Sequence, residues 1–302
     1  MAIGTTIANV DVAKQFSDDT FVGKIKTGAV YKLTQRLPEV QIGETSFFNL
    51  AGRTKGEVVG EAAAKSPTPS PIALSYIRTV KLQYTERFSD EFVTFDEQKR
   101  LGILNTMANK WLSSDFTRDL DTIIIHGINP LTGAVSASID NYITKPGSSI
   151  QVPTTGDTAA AINTDLITAI DALEDAGTDI NGIAFAPAAA SKLATLTNNG
   201  IQTYPSLGKF GLNVTGFEGM NATTGKEVGE YNGVKLVAGD WDQLRWGIAK
   251  EMPVKMIEYG DPDGLGDLQR YNQVALRFEA IVGFGIVSPD AFAVVMNATT
   301  SE

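Results

Sequence analysis

The sequence predicts an α+β fold in which one very long helix lies with long β-strands. Apolar residues recur at helical spacing from Leu101 to Ile123, and they occupy every second position from Val274 to Ile286. Residues 45–87 contain two strand-like runs on either side of a tip rich in Gly, Ala and charged residues. Elements of this length are unusual in compact domains, so we expect an elongated subunit that gains part of its burial from neighbouring chains.

Capping signals place the long helix between Asp96 and His126. Thr94 and Glu97 have the spacing of a capping box, in which hydroxyl and carboxylate each satisfy a backbone N–H group at the helix start. Gly127 supplies the stop. At 1.5 Å per residue the helix would be about 45 Å long, whereas a globule of this chain length has a radius of gyration of about 19 Å. This one element would therefore cross nearly the whole subunit.

The composition is that of a folded protein, and it removes several classes of function. Of the 302 residues, 43% are hydrophobic and 20% are charged, which excludes a disordered chain. No apolar run is long enough to span a membrane, and the first ten residues lack the basic-then-apolar pattern of a signal peptide. Cysteine is absent, which removes disulfides, thiolate catalysis and zinc–cysteine sites.

The charge is acidic overall and unevenly distributed. A net charge of −10 argues against a protein that binds the phosphate groups of nucleic acid. Residues 1–81 carry ten Lys/Arg and seven Asp/Glu, whereas the remaining residues carry fifteen and twenty-eight. A mildly basic arm and an acidic body would attract each other between subunits. The alternative is that the uneven charge is an ordinary scatter of charged residues over the surface.

The first 87 residues read as an arm followed by a long hairpin. Residues 1–44 show no sustained period and predict an extended arm, with a short strand at Val30–Leu37 that Pro38 ends. Thr45–Leu50 and Ile72–Tyr84 predict an outgoing and a returning strand. A two-stranded excursion of this length cannot bury itself, so we expect it to lie on another chain.

The second half reads as a compact unit followed by long strands. After a loop or hairpin at 128–160, the compact unit is predicted to contain a helix from Thr164 to Gly177, a strand at Gly182–Ala186, a helix from Pro187 to near Gly200 and a Gly-rich loop at 201–232. In the first of these helices Leu166, Ile167, Ile170 and Leu173 are expected to point inward. The closing strands are predicted at Gly233–Ala238, at Leu244–Tyr259, at the alternating segment, and after Ser288 and Pro289. Pro253 predicts that the strand at Leu244–Tyr259 is bulged or lies at a sheet edge.

Three patterns superficially resemble catalytic or metal sites. His126 is the single histidine and follows a helix, where a dipole-compatible cap is the favoured interpretation; a hydrolase has little support without a second histidine or a nucleophile elbow. Gly219–Lys226 lacks the spacing and Ser/Thr of a P-loop, so a loop is favoured. Asp261–Gly264 lacks the Gly and Glu positions of a calcium loop, so a strand-connecting turn is favoured.

Asp115, Arg118 and Asp119 are interpreted as a solvated face of the long helix. The sequence therefore predicts no catalytic residue, no cofactor and no metal site, and hence no enzyme.

The order of elements resembles the major capsid proteins of tailed bacteriophages with the Hong Kong 97 fold. The segment GRTKGEVVGEAAAKSPTPSPIALSYIRTVKLQYTERFSDEF is similar to that family's extended loop, its returning strand and the entry into its spine helix at Ser89-Asp90-Glu91. The closing ALRFEAIVGFGIVSPDAFAVV is similar to its long strand, turn and short final strand. The resemblance covers nearly the whole chain.

This resemblance implies a Hong Kong 97-like organisation. It implies an N-terminal arm at 1–44, an extended loop at 45–87, a peripheral domain with the spine helix at 88–160, an axial domain at 161–243, and strands that return to the peripheral domain at 244–302. It further implies a virion protein, assembled in the bacterial host cytoplasm, whose hexamers and pentamers form an icosahedral shell around double-stranded DNA without binding it specifically. Because Met1 directly precedes the arm, a separate scaffolding protein is expected, together with a portal and decoration proteins.

The extended loop carries the candidate subunit-interface residues, which are Arg53, Lys55, Glu57, Glu61 and Lys65. Some members of the resembled family form a Lys–Asn crosslink from this loop. Lys55, Lys65 and Asn297 would be the available groups, but ordinary surface lysines are the favoured interpretation. The alternative function on the same fold is an encapsulin, the shell protein of a cellular nanocompartment.

Overall fold

The computed structural model describes residues 28–38, 40–50, 57–61, 72–89, 91, 110–211 and 214–297. The helices are α1 (Ala29–Leu33), α2 (Phe116–His126), α3 (Ala159–Ala176) and α4 (Pro187–Ala194). The strands are β1 (Glu44–Leu50), β2 (Ile72–Ser89), β3 (Ile128–Asn129), β4 (Ala134–Val135), β5 (Ile150–Pro153), β6 (Gly182–Phe185), β7 (Thr197–Asn198), β8 (Ile201–Gln202), β9 (Gly216–Phe217), β10 (Met220–Thr224), β11 (Leu236–Gly239), β12 (Leu244–Ile257), β13 (Gln273–Ile286) and β14 (Phe292–Met296).

The first sheet contains the long strands, in the order β1-β2-β13-β12, and all of its pairs are antiparallel. This confirms the predicted hairpin and the predicted alternating strand. Along β13 every second residue from Val274 to Ile286 is buried, because these side chains point to the face that packs against α2. β12 lies at the sheet edge, and its pairing with β13 shifts register at Ile248/Lys250 and again at Met252/Lys255. The prediction of a bulged edge strand is thus confirmed.

The second sheet has the order β5-β14-β11-β6-β10-β9 and is buried on both faces. On one face Phe185 and Leu236 belong to a core that includes α3 and α4. On the other face Ala184 and Val237 belong to the core around α2 and the first sheet. Successive residues of β6 and β11 therefore point into two different cores. The final strand β14 pairs with β11 and β5, and so lies in this second sheet.

Two predictions in this region are wrong in part. Helix α3 begins at Ala159 and not after Thr164, because its cap is Thr158, six residues earlier, whose hydroxyl accepts the backbone N–H of Ala161. Its end at Gly177 is confirmed, whereas Ile167 is half exposed and does not point inward. Residues 201–232 are not simply a loop, since β8, β9 and β10 lie within them.

Helix α4 starts at Pro187 as predicted but ends at Ala194, short of Gly200. After the end of this helix, β7 and β8 form a two-stranded hairpin.

The predicted strand at Val30–Leu37 is also wrong. Its first half is helix α1, whose first two N–H groups bond to the carboxylate of Asp121 on α2. Only the end of this segment is extended, where the N–H of Leu37 donates to the carbonyl of Trp246 at 2.8 Å. A partner 91 residues away in sequence therefore determines this local structure.

Of the predicted long helix, the structure describes residues 110–126. A π-helical turn, Trp111–Asp115, leads into α2, and Gly127 ends the helix with a left-handed φ of 67°. A Cβ on Gly127 would lie 2.3 Å from the ring of Tyr142, so both the φ angle and the close approach require glycine. Thr94 and Glu97 lie outside the described residues. No helix in the described part of the chain is long and apolar enough to cross a membrane.

Candidate assembly surface

The β1–β2 hairpin leaves the four-stranded sheet at Arg78. β13 pairs with β2 from Ser89 to Arg78, whereas β1 pairs with β2 from Arg78 to Ile72. Among the described strands, the outer part of β2 is therefore paired only with β1. The junction is tightly packed, because a Cβ on Gly285 would lie 2.3 Å from the carbonyl oxygen of Tyr76. The hairpin consequently projects from a fixed base.

One face of the projecting hairpin is apolar and exposed. Leu74 is 51% exposed and Tyr76 is 39% exposed, and their spacing of two residues places them on the same face. The opposite face at Ile77 is buried against the subunit. Val58, near the tip, is fully exposed. Large apolar side chains grouped on a projecting element are typical of a protein–protein contact surface.

Charged side chains fix the base of the hairpin. Arg78 pairs with Glu44 across the hairpin at 2.7 Å and also with Asp140 from the loop after β4. The hydroxyl of Ser75 donates to the carbonyl of Val287 at 2.7 Å. A groove of about 340 Å³ lies beside these contacts. Exposed ion pairs contribute little free energy, so their main effect is to orient the hairpin relative to the sheet.

The structure places two of the five candidate interface residues. Glu57 and Glu61 are exposed near the tip of the hairpin. Arg53, Lys55 and Lys65 lie outside the described residues. Sequence reasoning did not single out Leu74 and Tyr76 as interface residues, although the alternation of the returning strand contained them. Asn297, the possible crosslink acceptor, directly follows β14 and lies beside Gly233.

A second groove, of about 660 Å³, lies between β2 and α2. Within it the hydroxyl of Tyr84 donates to Asp119, and Arg118 pairs with Glu227. Burial raises the pKa of Asp119, and burial together with Asp119 raises the pKa of Tyr84. The interpretation of Asp115, Arg118 and Asp119 as a simple solvated face is therefore wrong, because this face is partly covered and bonded.

His126, for which the sequence favoured a helix cap, is buried at the end of α2. Its Nε2 lies 2.9 Å from the carbonyl oxygen of Glu227, and its ring packs edge-on against Tyr231. Burial lowers the pKa of the imidazole, which favours its neutral form. These contacts hold the 227–229 turn against α2, which is a structural role.

The two loops that superficially resembled ligand sites are structural in different ways. The guanidinium of Arg87 binds Asp261 at 3.0 Å, Asp263, and the carbonyl of Gly266 at 2.8 Å. The Asp261–Gly264 segment is thus a strand-connecting turn, as predicted, with an arginine already between its carboxylates. Gly219–Lys226 is not a loop throughout, because it contains strand β10.

Comparisons with known proteins agree with this architecture. The model of the phage capsid family matches residues 8–297. A solved structure from Mycobacterium phage Ogopogo is 36% identical, with a TM-score of 0.73, over 90% of this chain and 94% of that chain. One from Gordonia phage Cozz is 28% identical, with a TM-score of 0.71, over 99% and 97%.

A more distant structure, the capsid of an empty GTA particle, is 14% identical with a TM-score of 0.63 over 99% of this chain and 100% of that chain, and shares the fold. No curated protein matches the chain. On the family match across nearly its whole length and the identity to the Ogopogo structure, the chain belongs to the phage capsid family.

Proposed function

We propose that this chain is the major capsid subunit of a tailed phage and that it self-assembles into an icosahedral shell around double-stranded DNA. The observation that carries the proposal is the projecting β1–β2 hairpin, whose exposed apolar face a single subunit leaves uncovered. In a shell a neighbouring subunit would cover that face. Membership of the phage capsid family supports this role.

The proposed architecture is that of the Hong Kong 97 fold. The hairpin serves as the extended loop at 45–87 and α2 as the end of the spine helix. Strands β6 and β9 to β11, with α4 and nearly all of α3, form the axial domain at 161–243, and β5 and β14 join its sheet from the flanking segments. The domain boundaries of the sequence analysis are kept as part of this proposal. Hexamers and pentamers would arise from one sequence by small changes in the angles between subunits.

The shell would enclose DNA without gripping it. A net charge of −10 opposes tight binding to phosphate groups. A structural role also accounts for His126 and Arg87, whose contacts hold turns in place rather than a substrate. A separate scaffolding protein, a portal and decoration proteins are the expected partners, assembling with this chain in the host cytoplasm.

Light scattering and negative-stain microscopy of the purified protein test the proposal directly. We expect closed shells or rings of five and six subunits, because the hairpin needs a neighbouring subunit to cover it. A stable monomer, even when the neighbouring gene products are co-expressed, would contradict a capsid role. Shells that contain a co-purifying enzyme instead of DNA would identify an encapsulin.

Charge reversal at the tip of the hairpin tests the candidate interface residues. Replacing Arg53 and Lys55 with glutamate should leave the subunit folded but reduce the yield of shells, because the tip would then repel the acidic body of a neighbour. The difference in shell yield between this variant and the wild type should shrink at about 1 M salt, because charges are then screened beyond about 3 Å. An Arg53→Lys, Lys55→Arg control keeps the charge. Unchanged assembly of the reversed variant would remove these residues from the interface.

A further inference from the structure

The chain reaches the projecting hairpin by passing around the edge of the first sheet. This segment, here termed the strap, comprises the described residues 28–38 and 40–43. It begins with α1, which packs in the core around α2. It then runs beside the edge strand β12, where Arg36 forms a parallel bridge with Trp246 and the N–H of Leu37 donates to the carbonyl of Trp246 at 2.8 Å. The end of the strap directly precedes β1.

The strap passes from one face of the first sheet to the other. At β12 the hydroxyl of Thr34 accepts the indole N–H of Trp246 at 2.6 Å, and this indole lies in the core on the α2 side of the sheet. Successive residues of a strand point to opposite faces, so Gly247 faces the other side. Val40 lies against Gly247 on that side. The strap therefore wraps around the edge of β12 and ends on the face away from α2.

Val40 fills a socket that two glycines leave open. Gly247 on β12 and Gly283 on β13 are partners in the antiparallel register, so the space of their missing side chains forms one hollow. A Cβ on Gly247 would lie 2.5 Å from Cγ2 of Val40, and a Cβ on Gly283 would lie 2.6 Å from its Cγ1. Neither glycine has a positive φ. Space for Val40, and not backbone conformation, therefore accounts for glycine at both positions.

Between the socket and the hairpin the strap has no second apolar contact point. Val40 is 6% exposed, and among the described residues from Pro38 to Glu44 it is the one that is buried. Gly43 has a φ of 108°, and a Cβ there would meet nothing, so glycine serves the backbone conformation at this position. Residues of this kind are typical of hinges. The strap thus consists of one buried side chain followed by a point at which the backbone can turn.

The socket also borders the base of the hairpin. Ile77 and Thr79 of β2 line the same hollow, 3.1 Å and 3.2 Å from the position of a Cβ on Gly283. Ile77 lies in the projecting part of β2 and is 5% exposed. The hydroxyl of Thr79 accepts the N–H of Gly43 at 2.9 Å. Val40 therefore occupies the corner at which strap, sheet and hairpin meet.

We propose that Val40, seated in the Gly247–Gly283 socket, is a positioning residue that fixes the angle between the projecting hairpin and the first sheet. With Val40 seated, the strap enters β1 along one path, because the socket is filled from both sides. With Val40 displaced, the strap turns at Gly43 and the hairpin bends where β13 stops pairing with β2. One side chain thereby decides between a fixed hairpin and a swinging one.

The distance between two spin labels on the unassembled subunit tests this proposal. The chain has no cysteine, so Ser46→Cys on β1 and Asp171→Cys on α3, both at exposed positions, give a single labelled pair. We expect one narrow distance peak when the socket is native. Gly283→Ala should abolish the narrow peak, because the added methyl group displaces Val40. Val40→Ala should abolish it as well by emptying the socket, and since it adds no atoms it serves as the test if Gly283→Ala does not fold.

Combining the two substitutions separates positioning from general stability. In the double variant Val40→Ala, Gly283→Ala the new methyl group takes space that Val40 has vacated, so the peak should be narrower than in either single variant. Independent losses of stability would add instead. The matched control is Val282→Ala, which removes a buried side chain from the opposite face of β13. It should lower the stability of the subunit and keep the narrow peak.

Three results would overturn the proposal. The first is a broad distance distribution with the native socket, and the second is a narrow, unshifted peak in both single variants. The third is a double variant, or the Val282→Ala control, whose distribution is at least as broad as those of the single variants. Any consequence for shell assembly rests on the proposed function, but this measurement does not. A subunit that forms no shells could still have a fixed hairpin, so failure of either idea can be distinguished from failure of the other.

Discussion

Replacing Trp111 with aspartate is expected to abolish folding of the subunit, and not merely its assembly. Trp111 is 5% exposed and stacks on Tyr84, with ring centroids 6.1 Å apart. Removing a buried aromatic side chain costs about 3–5 kcal/mol. An ionised carboxylate in the same place adds several kcal/mol, and the nearby Asp115 and Asp119 would repel it. The sum approaches the whole stability of a typical domain, about 5–15 kcal/mol.

Soluble yield and circular dichroism of the purified chain would measure this effect, with Trp111→Phe as the matched control. Phenylalanine keeps an aromatic ring opposite Tyr84, so this variant should fold with reduced stability. A soluble Trp111→Asp protein with native circular dichroism would show that the π-helical turn at 111–115 tolerates exposure. The packing of Trp111 against Tyr84 on β2 would then be less important than its burial implies.

Replacing Leu74 and Tyr76 together with aspartate should leave the subunit folded and reduce the yield of shells at least about tenfold. Both side chains are half exposed on the projecting hairpin, so the fold loses little when they change. At an interface, a large apolar anchor contributes about 2 kcal/mol or more, and 1.4 kcal/mol corresponds to a factor of ten. Two charges on that face would also have to be buried against a neighbour.

Thermal unfolding of the subunit and sedimentation of the assembled particles separate these two effects. Gln83→Asp provides the control, because it places a new charge on an exposed position of the same strand, within the four-stranded sheet. It should assemble like the wild type. If the Leu74 and Tyr76 variant assembled normally, the apolar face of the hairpin would not be an inter-subunit contact.

Regular periodicity and turn chemistry made much of the fold predictable. The alternation from Val274 to Ile286 predicted β13 because a strand with one buried face requires a period of two. Gly177 and Pro187 were assigned correctly at a helix end and a helix start, since each acts through its own backbone geometry. The hairpin was predicted from its two strand-like runs.

The candidate site was predictable only in outline. The sequence predicts that the hairpin tip contacts other chains. Glu57 and Glu61 are exposed in the single subunit, and their place in an interface stays a prediction. The sequence did not identify Leu74 and Tyr76 as the exposed apolar pair, because alternation alone does not say which face of a two-stranded excursion is covered. The exposed face depends on where β13 stops pairing with β2.

By itself, the sequence determined the elements whose period or turn residues are local: the long helix end, the hairpin, β13 and the edge strand β12. The tertiary structure alone decided that Ala29–Leu33 is a helix, that His126 is buried with a lowered pKa, and that Asp119 is partly covered. In each case the deciding partner is distant in sequence, as with Asp121 at α1 and Glu227 beside His126. Local propensities are worth less than about 1 kcal/mol per residue, and a buried polar group that finds its partner outweighs them.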